Sequence, residues 1–239
     1  MSQPRKVTPK RAMPNRLRII GGRWRGVPIT LPPPPVPHRG LRGVVGDSAA
    51  SSPAGDSAAS LAALRPTPDR VRETLFNWLQ PVMDGARCLD LFAGSGALGI
   101  EALSRGASHV EFVEHEASTA RHLEDTLRRL KVDLGAPGTV PAASSGQATA
   151  SVQASEALQF LAGPPRVFDV VFLDPPYASG LLAPVCERLA SRGWLASQAL
   201  VYLECPADQP LPPLPAGWSV HRTKRAGQVG YHLLRSAVP

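Results

Sequence analysis

The sequence predicts an α/β fold: a mostly parallel sheet covered by helices on both faces, closed by an antiparallel edge at its C-terminal end. Three observations predict it. From about residue 87 onward, short apolar strand-like runs alternate with segments of helical periodicity. A glycine-rich turn, LDLFAGSGALGIEAL at residues 89–103, joins the first of these strands to the first helix. The last two apolar runs, near 217–224 and 228–235, lie so close together that they read as an antiparallel hairpin.

The elements follow in order. With 239 residues, 43% of them hydrophobic, the chain is long enough for one α/β domain and short for two. Residues 1–16 form a basic arm, and residues 17–31 alternate apolar and basic side chains around Gly21-Gly22 as a short hairpin does. Residues 32–63 are of low complexity: PPPPVP fits neither a helix interior nor a sheet, and the near-repeat GDSAAS at 46–51 and 55–60 is too polar to build a core. We read residues 1–64 as arm, hairpin and insertion, and residues 65–239 as the folded domain. In that domain Val71, Leu75, Phe76, Trp78 and Leu79 mark a helix over 69–79, with Thr67 or Asp69 as its N-cap. Strands are expected at 87–92, 109–114, 150–154, 167–173 and 199–204, and helices at 97–105, 117–131, 156–162 and 181–192. A second flexible insertion, rich in Gly, Ala, Ser and Pro, is expected at about 135–150.

Charge is distributed unevenly. Residues 1–46 carry ten Lys or Arg and no carboxylate, while the whole chain carries a net +7, so the remainder sums to −3. A basic arm on a nearly neutral body suggests a polyanionic partner. No apolar run reaches the ~18 residues of a membrane helix, and no apolar stretch follows the basic N-terminus as in a secretory signal. The expected location is the cytoplasm, with no membrane partner. Cys88, Cys186 and Cys205 lack metal-ligand spacing and are expected to be buried and reduced. The six histidines do not cluster, and no metal site is expected. The four tryptophans are expected to anchor the core and its turns.

The glycine turn carries the first chemistry. Asp90 lies near a strand end, Gly94 and Gly96 let the backbone approach a ligand, and Glu114 ends the next strand, where a carboxylate can hold ribose hydroxyls. Gly94-Ser95-Gly96-Ala97-Leu98-Gly99 also matches the dinucleotide fingerprint, so an NAD site is a competing reading. Asp90 separates the two. A diphosphate is repelled by a carboxylate in its turn, whereas S-adenosylmethionine brings an ammonium group to it.

The second motif, Asp174-Pro175-Pro176-Tyr177, follows the apolar strand VVFL. An exocyclic amine on a nucleobase is a poor nucleophile because its lone pair is delocalised into the ring. Asp174 and the Pro175 carbonyl can accept its N–H groups, two prolines stiffen the loop that aims them, and Tyr177 can stack on a flipped base.

With both motifs in place, the sequence resembles the RsmD-type family of bacterial small-subunit (16S) ribosomal RNA guanine-N2 methyltransferases. The resemblance rests on RIIGGRWRG (18–26), RPTPDRVRETLFNWL (65–79), LDLFAGSGALGIEALSRGA (89–107), FLDPPY (172–177) and KRAGQVGYHLL (224–234). It implies a Rossmann-like class I methyltransferase fold, with a mostly parallel seven-stranded sheet, an antiparallel C-terminal edge and a small N-terminal extension. It also implies methyl transfer from S-adenosylmethionine to N2 of one guanine in 16S rRNA, either naked or in a small-subunit assembly particle; a monomer is the default expectation. By this resemblance Asp90, Phe92, Ala93, Gly94 and Gly96 would line the cofactor pocket, with Glu114 at the ribose and Glu156 near the adenine amino group. Asp174, Pro175, Pro176 and Tyr177 would hold the target base. Arg18, Arg23, Arg25 and Arg65 would meet RNA phosphates. Other RNA or DNA bases as the target, and NAD-dependent oxidoreduction, are the alternatives. A DNA enzyme would need a target-recognition domain for which 239 residues leave little room.

Overall fold

The computed structural model describes residues 16–32, 67–136, 148–176 and 179–237. Most of both low-complexity insertions, together with Arg65 and Tyr177, lies outside the described residues.

The N-terminal hairpin pairs β1 (Arg16–Arg18) with β2 (Pro28–Thr30), antiparallel, around a single 3-10 turn at Gly22–Trp24. Helix α1 (Asp69–Met83) follows, burying Val71, Leu75, Phe76, Leu79 and Met83 on one face. Among the described residues the main sheet has eight strands. In chain order they are β3 (Arg87–Asp90), β4 (His109–Glu114), β5 (Asp133–Leu134), β6 (Thr149–Ala154), β7 (Phe168–Leu173), β8 (Leu195–Pro206), β9 (Trp218–Ala226) and β10 (Val229–Ser236). Across the sheet they run β5-β6-β4-β3-β7-β8-β10-β9. Every pair from β5 to β8 is parallel, and β10 is antiparallel to both of its neighbours.

Helices α2 (Ala97–Ser104) and α3 (Ala117–Arg129) join α1 in one core layer with Val110, Phe112, Phe172 and Tyr202. Helices α4 (Ala157–Phe160) and α5 (Leu182–Ser191) cover the opposite face with Leu89, Val171, Val201 and the fully buried Trp194. The arrangement is the expected α/β sheet, with one strand more than seven. The extra strand, β5, is two residues at the edge, too short to leave a period-2 signal. The C-terminal hairpin also follows the expectation. All three cysteines are buried and free.

The N-cap of α1 differs from the sequence expectation. Pro68 occupies it, with no side-chain cap. The Thr67 hydroxyl is drawn instead to two carboxyl groups across the sheet, and Asp69, inside the helix, pairs with Arg72 at 2.6 Å.

Candidate functional site

Strands β3, β4 and β7 are neighbours, so their carboxyl ends bring Asp90, Glu114 and Asp174 to one edge of the sheet. Asp90 stands opposite Phe172 in the β3–β7 register, two residues before Asp174. This is where open α/β sheets take their ligands.

Gly94 and Gly96 both adopt left-handed backbone, φ 50° and 76°. A Cβ on Gly94 would meet nothing within 4 Å, so this turn leaves open space for a ligand. The third glycine serves packing, since a Cβ on Gly99 would lie 2.2 Å from the Phe112 ring. The Gly99 N–H donates to Oδ2 of Asp90 at 3.0 Å. Burial, offset in part by this hydrogen bond and reinforced by Glu114, pushes the Asp90 carboxyl up to about 7. A buried carboxyl in this state is stabilised by an incoming cation.

Glu114 is organised by backbone amides. Its Oε2 accepts the Gly94 N–H at 2.8 Å, and its Oε1 accepts the Glu116 N–H at 2.9 Å. Oε1 also lies 3.0 Å from His115 Nδ1, and Oε2 keeps a lone pair for a further donor such as a ribose hydroxyl. The Gly94 amide is one a diphosphate would use, and a carboxylate satisfies it here, which argues against the dinucleotide reading. Glu156 is exposed just past β6, beside the strand that Glu114 ends, with its own side chain making no cap bond. Phe92 is half-buried and Ala93 buried, its N–H held by the Val113 carbonyl at 2.9 Å.

Asp174 is half-buried, Pro175 buried and Pro176 exposed. The Asp174 carboxyl belongs to a cluster that the sequence did not reveal. The Thr67 hydroxyl lies 3.2 Å from Asp174 Oδ2 and 3.0 Å from Glu204 Oε1, and the Tyr202 hydroxyl donates to Glu204 Oε1 at 2.7 Å. Neighbouring atoms desolvate Asp174, and Glu204 repels its charge, so its carboxyl is held well above the usual carboxylate range. Burial also raises Glu204, against hydrogen bonds from Tyr202 and Thr67 that lower it.

The expected RNA contacts Arg18, Arg23 and Arg25 are all exposed on the hairpin, Arg18 bonded to the Gly26 carbonyl at 3.1 Å and Arg23 over the Trp24 ring. The structure adds a second basic surface. On edge strand β9, His221, Arg222, Lys224 and Arg225 are all exposed. Lys224 pairs with Tyr231, which pairs with Glu204, so Lys224 continues the row of the carboxyl cluster outward.

Comparison with known proteins agrees with this geometry. The family model described as Conserved hypothetical protein 95 matches residues 57–235. The chain is 40% identical over 225 residues to a protein of Escherichia coli (strain K12) named Ribosomal RNA small subunit methyltransferase D, covering 94% of this chain and 92% of that one. A protein of the same name from Haemophilus influenzae is 43% identical over 175 residues, covering 72% and 83%. The solved structure of an Escherichia coli methyltransferase superposes with a TM-score of 0.70 at 39% identity, covering 94% of this chain and 99% of that one.

Proposed function

The chain belongs to the Conserved hypothetical protein 95 (RsmD) family, and from that premise we propose that it transfers a methyl group from S-adenosylmethionine to the exocyclic N2 of a guanine in 16S ribosomal RNA. It is a methyltransferase. The observation that carries the reading is the placement of the Asp174-Pro175 loop one strand away from the Asp90 glycine turn.

In this reading Asp90 would face the ammonium group of the cofactor and Gly94 would leave room for it, with Phe92 and Ala93 on the same turn, while Gly96 shapes that turn and packs against Leu123. Glu114 would hold the ribose hydroxyls, and Glu156 would stand at the adenine end. The bound cofactor supplies an electrophilic methyl group on sulfonium. Asp174 and the Pro175 carbonyl accept the N–H groups of the target amine, favouring a pyramidal nitrogen whose lone pair points at the methyl. On accepting the methyl group the amine would have to give up one proton. A carboxyl held above its ordinary range is suited to receive it. Pro176 stiffens the loop, and Tyr177, with Arg65, completes the assignment from the sequence pattern.

Affinity for RNA comes from two cationic surfaces, Arg18, Arg23 and Arg25 on the hairpin and Arg222, Lys224 and Arg225 on β9. Both act through phosphates, which position the substrate without reading sequence. The methyltransferase domain spans residues 65–239, and the enzyme acts as a cytoplasmic monomer. The test is transfer of a tritiated methyl group to 16S rRNA from a strain lacking the gene, as naked RNA and as small-subunit particles. Incorporation into either that is lost with Asp174→Ala supports the reading. Failure of the wild-type protein to label both contradicts it.

A further inference from the structure

We infer that Glu204 selects guanine by accepting the N1–H of the target base beside Asp174. The inference rests on the guanine-N2 reading and extends it to base choice.

Glu204 lies in β8, 137 residues from Thr67, and is 3% exposed. Its carboxyl and that of Asp174 share one hydroxyl, that of Thr67. The cluster is short of donors. Two carboxyl groups offer four oxygens, while Thr67 and Tyr202 bring one O–H each. Both hydrogen bonds to Glu204 end on Oε1, and the one to Asp174 ends on Oδ2. Among the described residues Glu204 Oε2 and Asp174 Oδ1 have no hydrogen-bond partner. Neither oxygen is among the fully buried atoms left without a partner, so both reach open space where the donors of a ligand can meet them.

Glu204 also lines a cleft of about 260 Å³ with Pro175, Pro176, Leu181, Leu182 and Pro206, and Asp174 stands next to Pro175 just outside that lining. Ordinary ligand pockets start at roughly 300 Å³, so this one suits a single nucleobase. Apolar walls and one carboxylate are the composition that holds a flat ring and reads one edge of it.

Guanine carries the N1–H and N2–H donors side by side on its Watson–Crick edge. Adenine and cytosine place a ring-nitrogen lone pair beside the exocyclic amine. Asp174 opposite the amine therefore fits all three bases, and Glu204 opposite the ring nitrogen fits guanine alone. Against adenine or cytosine, an acceptor meets an acceptor. A site that leaves a buried polar group unpaired rejects the wrong substrate strongly.

The test uses small-subunit particles lacking the modification, with guanine or adenine at the position the wild-type enzyme methylates. Glu204→Gln is expected to lower kcat/KM on the guanine particle by about tenfold or more, with S-adenosylmethionine affinity unchanged, and to shrink the guanine-over-adenine preference by a similar factor or more. Thr67→Val, which removes the shared hydroxyl and keeps both carboxyls, is expected to slow the reaction while keeping the preference. If Glu204→Gln retains the wild-type preference, or if Thr67→Val loses it equally, Glu204 is a packing and positioning group and the inference falls. Should Glu204→Gln fail to fold by circular dichroism, Glu204→Asp carries the test. Its carboxylate is drawn back by one methylene and is expected to raise KM for the guanine particle about tenfold, and an unchanged KM overturns the inference. Failure of the guanine-N2 reading itself shows separately, as a wild-type product methylated at another atom.

Discussion

The backbone N–H of Gly21 donates to Oε1 of Glu101 at 2.8 Å, across 80 residues of sequence. The same carboxylate accepts the Ile20 N–H at 2.8 Å and the Arg105 Nε–H at 2.7 Å. It lies 3.7 Å from the fully buried Arg72 guanidinium, which itself bonds the Arg18 carbonyl. The hairpin is thus tied to the body through one buried charge, and Ile19 and Ile29 sit in the same core as α1. At Gly22, φ is 72° and a Cβ would fall 1.7 Å from the Ser104 carbonyl oxygen, so only glycine permits this close approach.

Glu101→Ala is expected to destabilise the protein severely, because it leaves two amides unbonded and strips the buried Arg72 of its buried counter-charge, with only the exposed Asp69 still paired to it. Breaking such a buried pair costs on the order of 3–5 kcal/mol. For a chain of this size that lowers Tm by roughly 6–20 °C. Thermal melting followed by circular dichroism measures it. A shift under about 2 °C contradicts the anchoring role. A chain starting near residue 64 is expected to melt lower for the same reason, since it lacks Ile19 and Ile29 as well.

Asp90 links stability and cofactor binding in opposite directions. Its carboxyl titrates near 7 in the folded protein and at 3.8 ordinarily. Between those values the unfolded chain is ionised and the folded one holds the proton, so stability falls as pH rises from about 4 to 7. Asp90→Asn removes that penalty and is expected to raise Tm at pH 8 more than at pH 4. It also removes the charge opposite the ammonium, so S-adenosylmethionine binding is expected to weaken by about 10- to 100-fold. In the wild type, affinity is expected to improve from pH 6 to pH 8, as Asp90 ionises, and calorimetric titration across that range checks it. A pH-independent Kd refutes the pairing.

Asp174→Ala is expected to abolish methyl transfer with cofactor affinity nearly unchanged, since Asp174 is assigned to the base. Single-turnover transfer and calorimetric titration on the same preparation separate the two effects. Wild-type turnover in this variant refutes the assigned role. Tyr177→Ala is expected to be milder, because stacking is worth roughly 1–3 kcal/mol per base, and Tyr177→Phe milder still.

The elements were largely legible because apolar runs of period 2 and 3.6 recur from residue 69 onward, and the glycine turn and Asp174-Pro175-Pro176 each lie at a strand end. What depends on distant pairing was not. Thr67 had every local mark of an N-cap, and only the sheet places it against Asp174 and Glu204, 107 and 137 residues away. Glu101 stands in a run with helical spacing and looks like any solvated helix residue. Its burial comes from a hairpin that docks 80 residues earlier. The β9 cations were visible as residues, but their alignment with Glu204 is a matter of register, which the sequence pattern of a terminal hairpin does not specify.

Lys224 and Arg222 offer the next test. Their joint replacement by alanine is expected to weaken 16S rRNA binding and to reduce the slope of log K against log salt by roughly 0.7–0.9 for each phosphate that the pair neutralises. Filter binding over a salt series measures both. Unchanged affinity and slope place the RNA elsewhere, with Arg18, Arg23 and Arg25 on the hairpin the next candidates by the same assay.

The most direct test of the central claim is the identity of the nucleoside that the protein makes. Small-subunit rRNA from a strain lacking the gene is incubated with the wild-type protein and labelled S-adenosylmethionine, digested to nucleosides and separated. The account predicts a single labelled product, N2-methylguanosine, absent with Asp174→Ala. Label in any other nucleoside, or no label from a protein that binds NAD in place of S-adenosylmethionine, contradicts it.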